Sequence, residues 1–198
     1  GRSPFVIACA ANFPAKDLKS ALALAKAQPA TIAIATEGPK TFSGMLADSV
    51  AGMAGVRFTH VPYTKAPDAL QDVLGGRVQL VCLPDAALTS YMQAGTVRAL
   101  AVSTGKRQAT MPDVPSLSET FPGFDYAGWN GIFAPAGTPV DIIQRVNRDL
   151  EAILQQPEVT QRLQTLGSQP EPRMSVPEFE AFMRAERERW AKLVKQLD

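Results

Sequence analysis

Three short polar bends are the part of this sequence whose residue types and spacing best suit ligand binding. They occupy residues 36–41, 63–66 and 83–85, each between an apolar run and an amphipathic stretch. Such a bend offers a ligand the unpaired backbone N–H groups and the positive dipole end of a helix. Lys40 and Lys65 add positive charge, whereas Glu37, Asp68 and Asp85 offset part of it. The pattern predicts a site for a small anion such as a carboxylate, although the Thr and Ser side chains could equally be ordinary helix caps.

The motifs that carry catalysis or cofactor binding are absent from the sequence. There is no G-x-S-x-G elbow, phosphate-binding loop or G-x-G-x-x-G turn, and Gly75-Gly76 is typical of a helix end. The single histidine, His60, has no Cys or His companion at ligand spacing, which favours a partly buried strand residue over a metal ligand. We therefore predict that the protein is not an enzyme and uses no cofactor or metal.

Alternating strands and helices position the bends over the first hundred residues. The apolar and amphipathic runs predict strands at 5–10, 31–35, 56–61, 78–82 and 97–102, and helices at 14–27, 42–53, 66–74 and 84–93. This alternation predicts an α/β fold with a doubly wound, mostly parallel sheet. Ligands of such sheets bind beyond the carboxyl ends of the strands, which is where the three bends fall.

The last seventy residues have a different pattern. They predict one strand at 131–134 and three amphipathic helices, from 138 to about 155, from 157 to 167 and from 175 onward. The apolar sides of these helices need a surface to cover, and the preceding segment offers no evident one. We therefore expect either that the chain is a fragment or that its C-terminal helices pack on another molecule.

Composition excludes two classes of protein and leaves the cysteines open. The formal net charge is +1, so there is no basic excess for nucleic acid, and no stretch approaches the ~20 apolar residues of a membrane span. The chain opens at Gly1 without an initiator methionine, and we expect a processed or artificial end from which an export signal could be missing. Cys9 and Cys82 both lie in apolar runs. They could be buried free thiols, or they could form a disulfide if their strands are neighbours.

A set of short motifs extends in order along most of the chain. They are Val61-Pro62-Tyr63, Asp72-Val73-Leu74-Gly75-Gly76, Ala94-Gly95, Arg98-Ala99-Leu100-Ala101-Val102, Lys106-Arg107, Pro112-Asp113-Val114-Pro115, Pro122-Gly123, Trp129 and Ala134-Pro135-Ala136-Gly137-Thr138-Pro139. In this combination the sequence closely resembles the Bug or TctC-type solute-binding proteins of tripartite tricarboxylate transporters. The combination is specific, although each motif alone would be weak.

The resemblance implies a two-lobed, type II periplasmic binding fold that closes on a small carboxylate. Residues 4–127 would form the second lobe, and residues 128–198 would supply a crossover strand and helices to a first lobe whose N-terminal part is absent. It also implies a periplasmic location and, as partners, the membrane components of a tripartite transporter.

The resemblance also indicates which residues would contact the ligand. They are Gly38, Pro39, Lys40, Thr41, Ser43, Tyr63, Thr64, Lys65, Leu83, Asp85 and Trp129. The bends depart from the family pattern, since residues 37–41 replace a Ser-Gly-x-Gly-Ser loop, Thr64-Lys65 replaces Lys-Gly and Leu83 replaces an Asp. Lys40 could either block close approach of the first loop or provide a new charge for an acid group.

Two other functions remain open at this point. The chain could be an effector-sensing domain of the same fold, although no helix-turn-helix is evident, or a degenerate relative that no longer binds ligand. An α/β enzyme is the third alternative, and the absence of a nucleophile and of cofactor loops argues against it.

Overall fold

The structure of the protein, a computed structural model, describes residues 1–166, 168 and 174–197. Its strands are β1 (Arg2–Ser3), β2 (Phe5–Ala10), β3 (Ala33–Thr36), β4 (Thr59–Pro62), β5 (Leu80–Pro84), β6 (Val97–Val102) and β7 (Gly128–Trp129). Its helices are α1 (Leu18–Ala27), α2 (Phe42–Ala54), α3 (Ala66–Leu74), α4 (Asp85–Gln93), α5 (Leu117–Thr120), α6 (Val140–Leu154), α7 (Pro157–Thr165) and α8 (Val176–Leu197). They form two compact units, Pro4–Gly128 and Gly1–Ser3 with Trp129–Asp198.

A five-stranded sheet in the order β4-β3-β5-β2-β6 is the centre of the larger unit. β3 pairs in parallel with β4 and β5, whereas β2 pairs antiparallel with β5 and β6. Four strands therefore run in one direction, as predicted for a mostly parallel α/β sheet. The alternation of strands and helices did not reveal that β2 runs against the other four.

Both faces of the sheet are covered, which explains why β2 is apolar throughout. Its odd-numbered residues pack in one core cluster with α1 and α2, and its even-numbered residues pack in a second cluster with α3 and α4. Every residue of β2 is at most 7% exposed. The continuous apolar run thus follows from helices on both sides of a central strand.

Several elements begin later than the sequence predicted because the residues before them close the preceding turn. The Asp17 carboxylate accepts the Ser20 N–H at 2.7 Å, and the Ser20 hydroxyl accepts the Asp17 N–H at 3.1 Å. This capping box starts α1 at Leu18 rather than at residue 14. Similarly, the Val56 N–H donates a hydrogen bond to the Ala51 carbonyl at 2.9 Å and so closes the C-terminal end of α2. The strand β4 therefore begins at residue 59 rather than 56.

The two cysteines are buried free thiols on adjacent strands. Cys82 lies opposite Ile7 and Cys9 lies opposite Leu80, so the two residues are diagonal rather than directly paired. Burial raises the pKa of both thiols, although Arg98 partly counteracts the effect at Cys9. Neutral, buried thiols are poor nucleophiles.

We expect neither thiol to react with an aromatic disulfide reagent within minutes in the native protein at pH 8. Both should react at once after unfolding in urea without reductant. The measurement is the absorbance of the released thiolate. Rapid labelling of the folded protein would contradict the buried placement, and fewer than two thiols after unfolding would indicate a disulfide.

The smaller unit contains a two-stranded sheet, β1 with β7, and the C-terminal helices. The strand predicted at residues 131–134 is wrong, since pairing occurs at Gly128–Trp129 instead. Gly167, predicted to end α7, lies outside the described residues. Ser175 precedes the start of α8 as predicted, and its N–H donates a hydrogen bond to the Glu178 carboxylate at 2.7 Å.

The helix α6 has an uncovered apolar side, as the sequence suggested. None of its residues is buried, and Val140, Ile142 and Val146 remain 67%, 49% and 44% exposed. The surface or molecule that would cover this side stays a prediction. No helix among the described residues has the length and apolarity to cross a bilayer.

Candidate ligand-binding site

The three polar bends lie side by side along one margin of the sheet. The strands before them, β4, β3 and β5, are consecutive and parallel, so their carboxyl ends point the same way. Thr36 lies opposite Pro62, and Ala35 lies opposite Val81, which brings the strand ends to a similar level. We call residues 36–41 bend A, 63–66 bend B and 83–85 bend C; their order along the margin is B, A, C.

Bend A satisfies most of its own polar groups. The Glu37 N–H donates to the Ser43 hydroxyl at 3.0 Å, and the Gly38 N–H donates to the Thr36 hydroxyl at 3.2 Å. The Thr41 hydroxyl donates to the Gly38 carbonyl at 2.6 Å and caps α2 by accepting the Gly44 N–H at 3.3 Å. The bend is therefore preorganised, but fewer of its donors are free than the sequence suggested.

Close packing of bend A on α2 requires a glycine at position 44. A Cβ there would lie 2.1 Å from the Gly38 carbonyl oxygen and 2.7 Å from the Pro39 Cα. Gly38 has φ +134°, a conformation that L side chains rarely adopt. The side chains of Pro39 and Lys40 are exposed on the outside of the bend. The shape of bend A thus depends on Gly44 for the close approach of α2 and on Gly38 for its backbone conformation.

Bend B joins bend A through the backbone and leaves a helix end open. The Tyr63 N–H donates to the Thr36 carbonyl at 2.8 Å, and its hydroxyl donates to the Asp72 carboxylate at 2.5 Å. Burial and this carboxylate raise the pKa of Tyr63 to about 12. Thr64 and Lys65 are exposed, and no side chain caps the N-terminus of α3. This helix start has donors available to an anion.

Bend C supplies a buried acid instead of a donor. Leu83 is 3% exposed and packs in the core cluster with α3 and α4, so its side chain does not face a ligand. Asp85 starts α4 and is 6% exposed, with its carboxylate accepting the Ala86 N–H at 2.7 Å. Burial raises the pKa of Asp85 to about 6, and the Ala86 hydrogen bond counteracts part of the shift. The margin therefore carries acidic as well as basic groups.

Trp129 belongs to the smaller unit and packs there among aromatic rings. Its ring centroid lies 5.6 Å from that of Phe182 and 6.3 Å from that of Phe179. It also lines an open groove of about 350 Å³, together with Met183, Arg184, Glu186, Arg187 and Trp190. Ten of the eleven predicted ligand contacts thus fall in or next to the three bends, and Trp129 is the exception.

Sequence reasoning missed three residues that shape the margin. Thr36 is fully buried, and its hydroxyl accepts a hydrogen bond from the Gly38 N–H. The Asp72 carboxylate accepts a hydrogen bond from the Tyr63 hydroxyl, and Gly44 leaves room for bend A against α2. The spacing of Gly38 and Gly44 around a Thr cap was the available signal for a close approach. Tyr63 and Asp72 are nine positions apart and gave no local pattern. Among the residues that the structure describes, no group of three or more His, Cys, Asp or Glu side chains could hold a metal ion.

Comparison with known proteins connects the whole chain to one family. The family model described as tripartite tricarboxylate transporter family receptor, TctC, matches residues 1–198. A UPF0065 protein of Bordetella bronchiseptica is 32% identical over 166 residues, which are 84% of this chain and 49% of the relative. The chain spans about half of the length of the curated relatives that it matches first, between 49% and 57%.

Two solved structures of similar proteins contain carboxylates. R. palustris Rpa4515 with adipate has a TM-score of 0.85 and 27% identity, over 99% of this chain and 66% of that chain. MatC from Rhodopseudomonas palustris with bound malate has a TM-score of 0.80 and 28% identity, over 98% of this chain and 67% of that chain. These likenesses confirm the predicted periplasmic binding fold.

Proposed function

The chain belongs to the tripartite tricarboxylate transporter receptor family, TctC, and on this premise we propose that it binds a small carboxylate solute in the periplasm. It hands the solute to the membrane components of a tripartite transporter and performs no chemistry on it. Residues 4–127 act as the second ligand-binding lobe, and residues from 128 onward contribute to the first.

The arrangement of bends A, B and C is the observation that carries this proposal. Three helices start directly after neighbouring parallel strands, so their positive dipole ends lie along the same margin of the sheet. A small acid is the kind of ligand that such a margin accommodates. The adipate and malate bound by two proteins of similar structure support a carboxylate of four to six carbons.

Bend B contributes the strongest anion-binding groups in this proposal. The start of α3 lacks a side-chain cap, and Lys65 and Thr64 are exposed beside it. Bend A acts mainly as a rigid wall, because its hydroxyl and amide groups bond each other. Lys40 adds a second positive charge on the exposed side of bend A.

Lys65→Ala is expected to weaken carboxylate binding several-fold, an effect on the order of 1 kcal/mol for an exposed ion pair. The mature protein made from its own gene is titrated with adipate, malate and glutarate, by calorimetry and by the shift of its melting temperature. Lys16→Ala is the matched control, because Lys16 is also exposed but follows the end of β2 at the opposite margin. A protein that is stabilised neither by these acids nor by amino carboxylates such as glutamate would contradict the proposed function.

A further inference from the structure

Asp85 is a buried acid that has a single hydrogen-bond partner among the residues that the structure describes. One carboxylate oxygen accepts the Ala86 N–H, and no other hydrogen bond or ion pair to this side chain exists among the described residues. The second carboxylate oxygen of Asp85 is not among the buried side-chain atoms without a partner, in contrast to Nδ1 of His60. A solute at the margin could therefore reach this oxygen of Asp85.

Among the described residues no cationic side chain pairs with Asp85, and only the Ala86 N–H at the start of α4 compensates part of its negative charge. Glu186, the other acid that is buried among the described residues, is paired with the Arg189 guanidinium on α8. The ionisable groups on the neighbouring bends are Glu37, Lys40, Tyr63 and Lys65, and none of them contributes to the raised pKa of Asp85. Burial alone disfavours its ionised form. A buried carboxylate is costly unless a cation or several donors accompany it.

The margin thus has two ends of opposite character. Bend B offers the open start of α3 with Lys65, and bend C, two strands away, offers an acceptor with no cation. A dicarboxylate would satisfy the first end and meet repulsion at the second. A solute that carries an ammonium group as well as a carboxylate would satisfy both.

We propose that Asp85 receives the ammonium group of the solute, so that this chain selects amino carboxylates over dicarboxylates. This rests on the proposed function, since bends A and B still hold the carboxylate. The ammonium group forms an ion pair with the Asp85 carboxylate, which a dicarboxylate cannot do. Asp85 is therefore a specificity-determining residue.

Matched ligand pairs test the selection. Calorimetry of the mature protein compares glutamate with glutarate, and 6-aminohexanoate with adipate, at pH 7.5. The expected result is a preference of about tenfold or more for each amino compound, since hydrogen bonds to charged groups are the stronger class. Asp85→Asn should remove the preference, weaken binding of the amino compounds and improve the affinity for the dicarboxylates. Asp68→Asn, an exposed acid in the first turn of α3, is the control and should keep the preference.

Proton exchange provides a second measurement that does not need the variant. Because the pKa of Asp85 is about 6, an ammonium ligand should release protons on binding near pH 6, and its affinity should fall as the pH drops below 6. Titration in buffers of different ionisation enthalpy measures this release. Tighter binding of the dicarboxylates, or proton uptake, would overturn the selection and leave the proposed function standing. No binding of any of the four compounds would overturn both.

Discussion

Replacing Gly44 by alanine is expected to destabilise the protein by about 1–3 kcal/mol and to abolish ligand binding. The added Cβ would lie 2.1 Å from the Gly38 carbonyl oxygen and 2.7 Å from the Pro39 Cα, both backbone atoms that cannot rotate away. Relief requires bend A to move off α2, which would break the Thr41 cap and displace the wall of the site. Urea unfolding and ligand titration measure the two effects.

Gly52→Ala is the matched control, because Gly52 lies in the same helix and a Cβ added there would have no neighbour within 4 Å. The same substitution there should raise stability by about 0.5–1 kcal/mol through helix propensity and reduced freedom of the unfolded chain. Equal behaviour of the two variants would mean that bend A does not pack on α2 as closely as the structure has it.

Asp85→Asn is expected to stabilise the ligand-free protein at pH 8 by up to about 3 kcal/mol. The pKa of Asp85 is raised from 3.8 to about 6, so the folded state holds this proton more tightly than the unfolded state. The wild type consequently loses stability as the pH rises from about 4 to 6, whereas the asparagine variant does not. The asparagine oxygen can still accept the Ala86 N–H.

Urea unfolding of both proteins between pH 4 and pH 8 measures this difference. The two curves should converge near pH 4 and separate by pH 7, and Asp68→Asn should show no such divergence, since Asp68 is exposed. Stability lost at pH 8 in the asparagine variant would show that the carboxylate has a stabilising partner. A gain would show that the buried carboxylate costs stability in the ligand-free protein, as expected for a side chain whose partner is the ligand.

The local pattern of the sequence was sufficient to predict the elements and to place the three bends at the carboxyl ends of strands. Apolar runs and the turn residues between them predicted all five strands of the larger sheet, because period and burial are properties of neighbouring residues. Boundaries were less accurate, as at α1, where Asp17 and Ser20 rather than Pro14 open the helix. The prediction of a strand at 131–134 was wrong. The apolar residues of this segment have the local pattern of a strand, but the segment pairs with no other strand of the described residues.

The sequence by itself determined the family, the α/β class and the three polar bends, since each depends on residue types at fixed short spacing. Only the tertiary structure decided that β2 runs against its neighbours, that bend A consumes its own hydroxyl groups, and that Asp85 is buried. Strand direction, hydrogen-bond partners and burial depend on residues distant in the chain. The physical chemistry of the margin, including the acid that would select the solute, therefore emerges only when β4, β3 and β5 lie side by side.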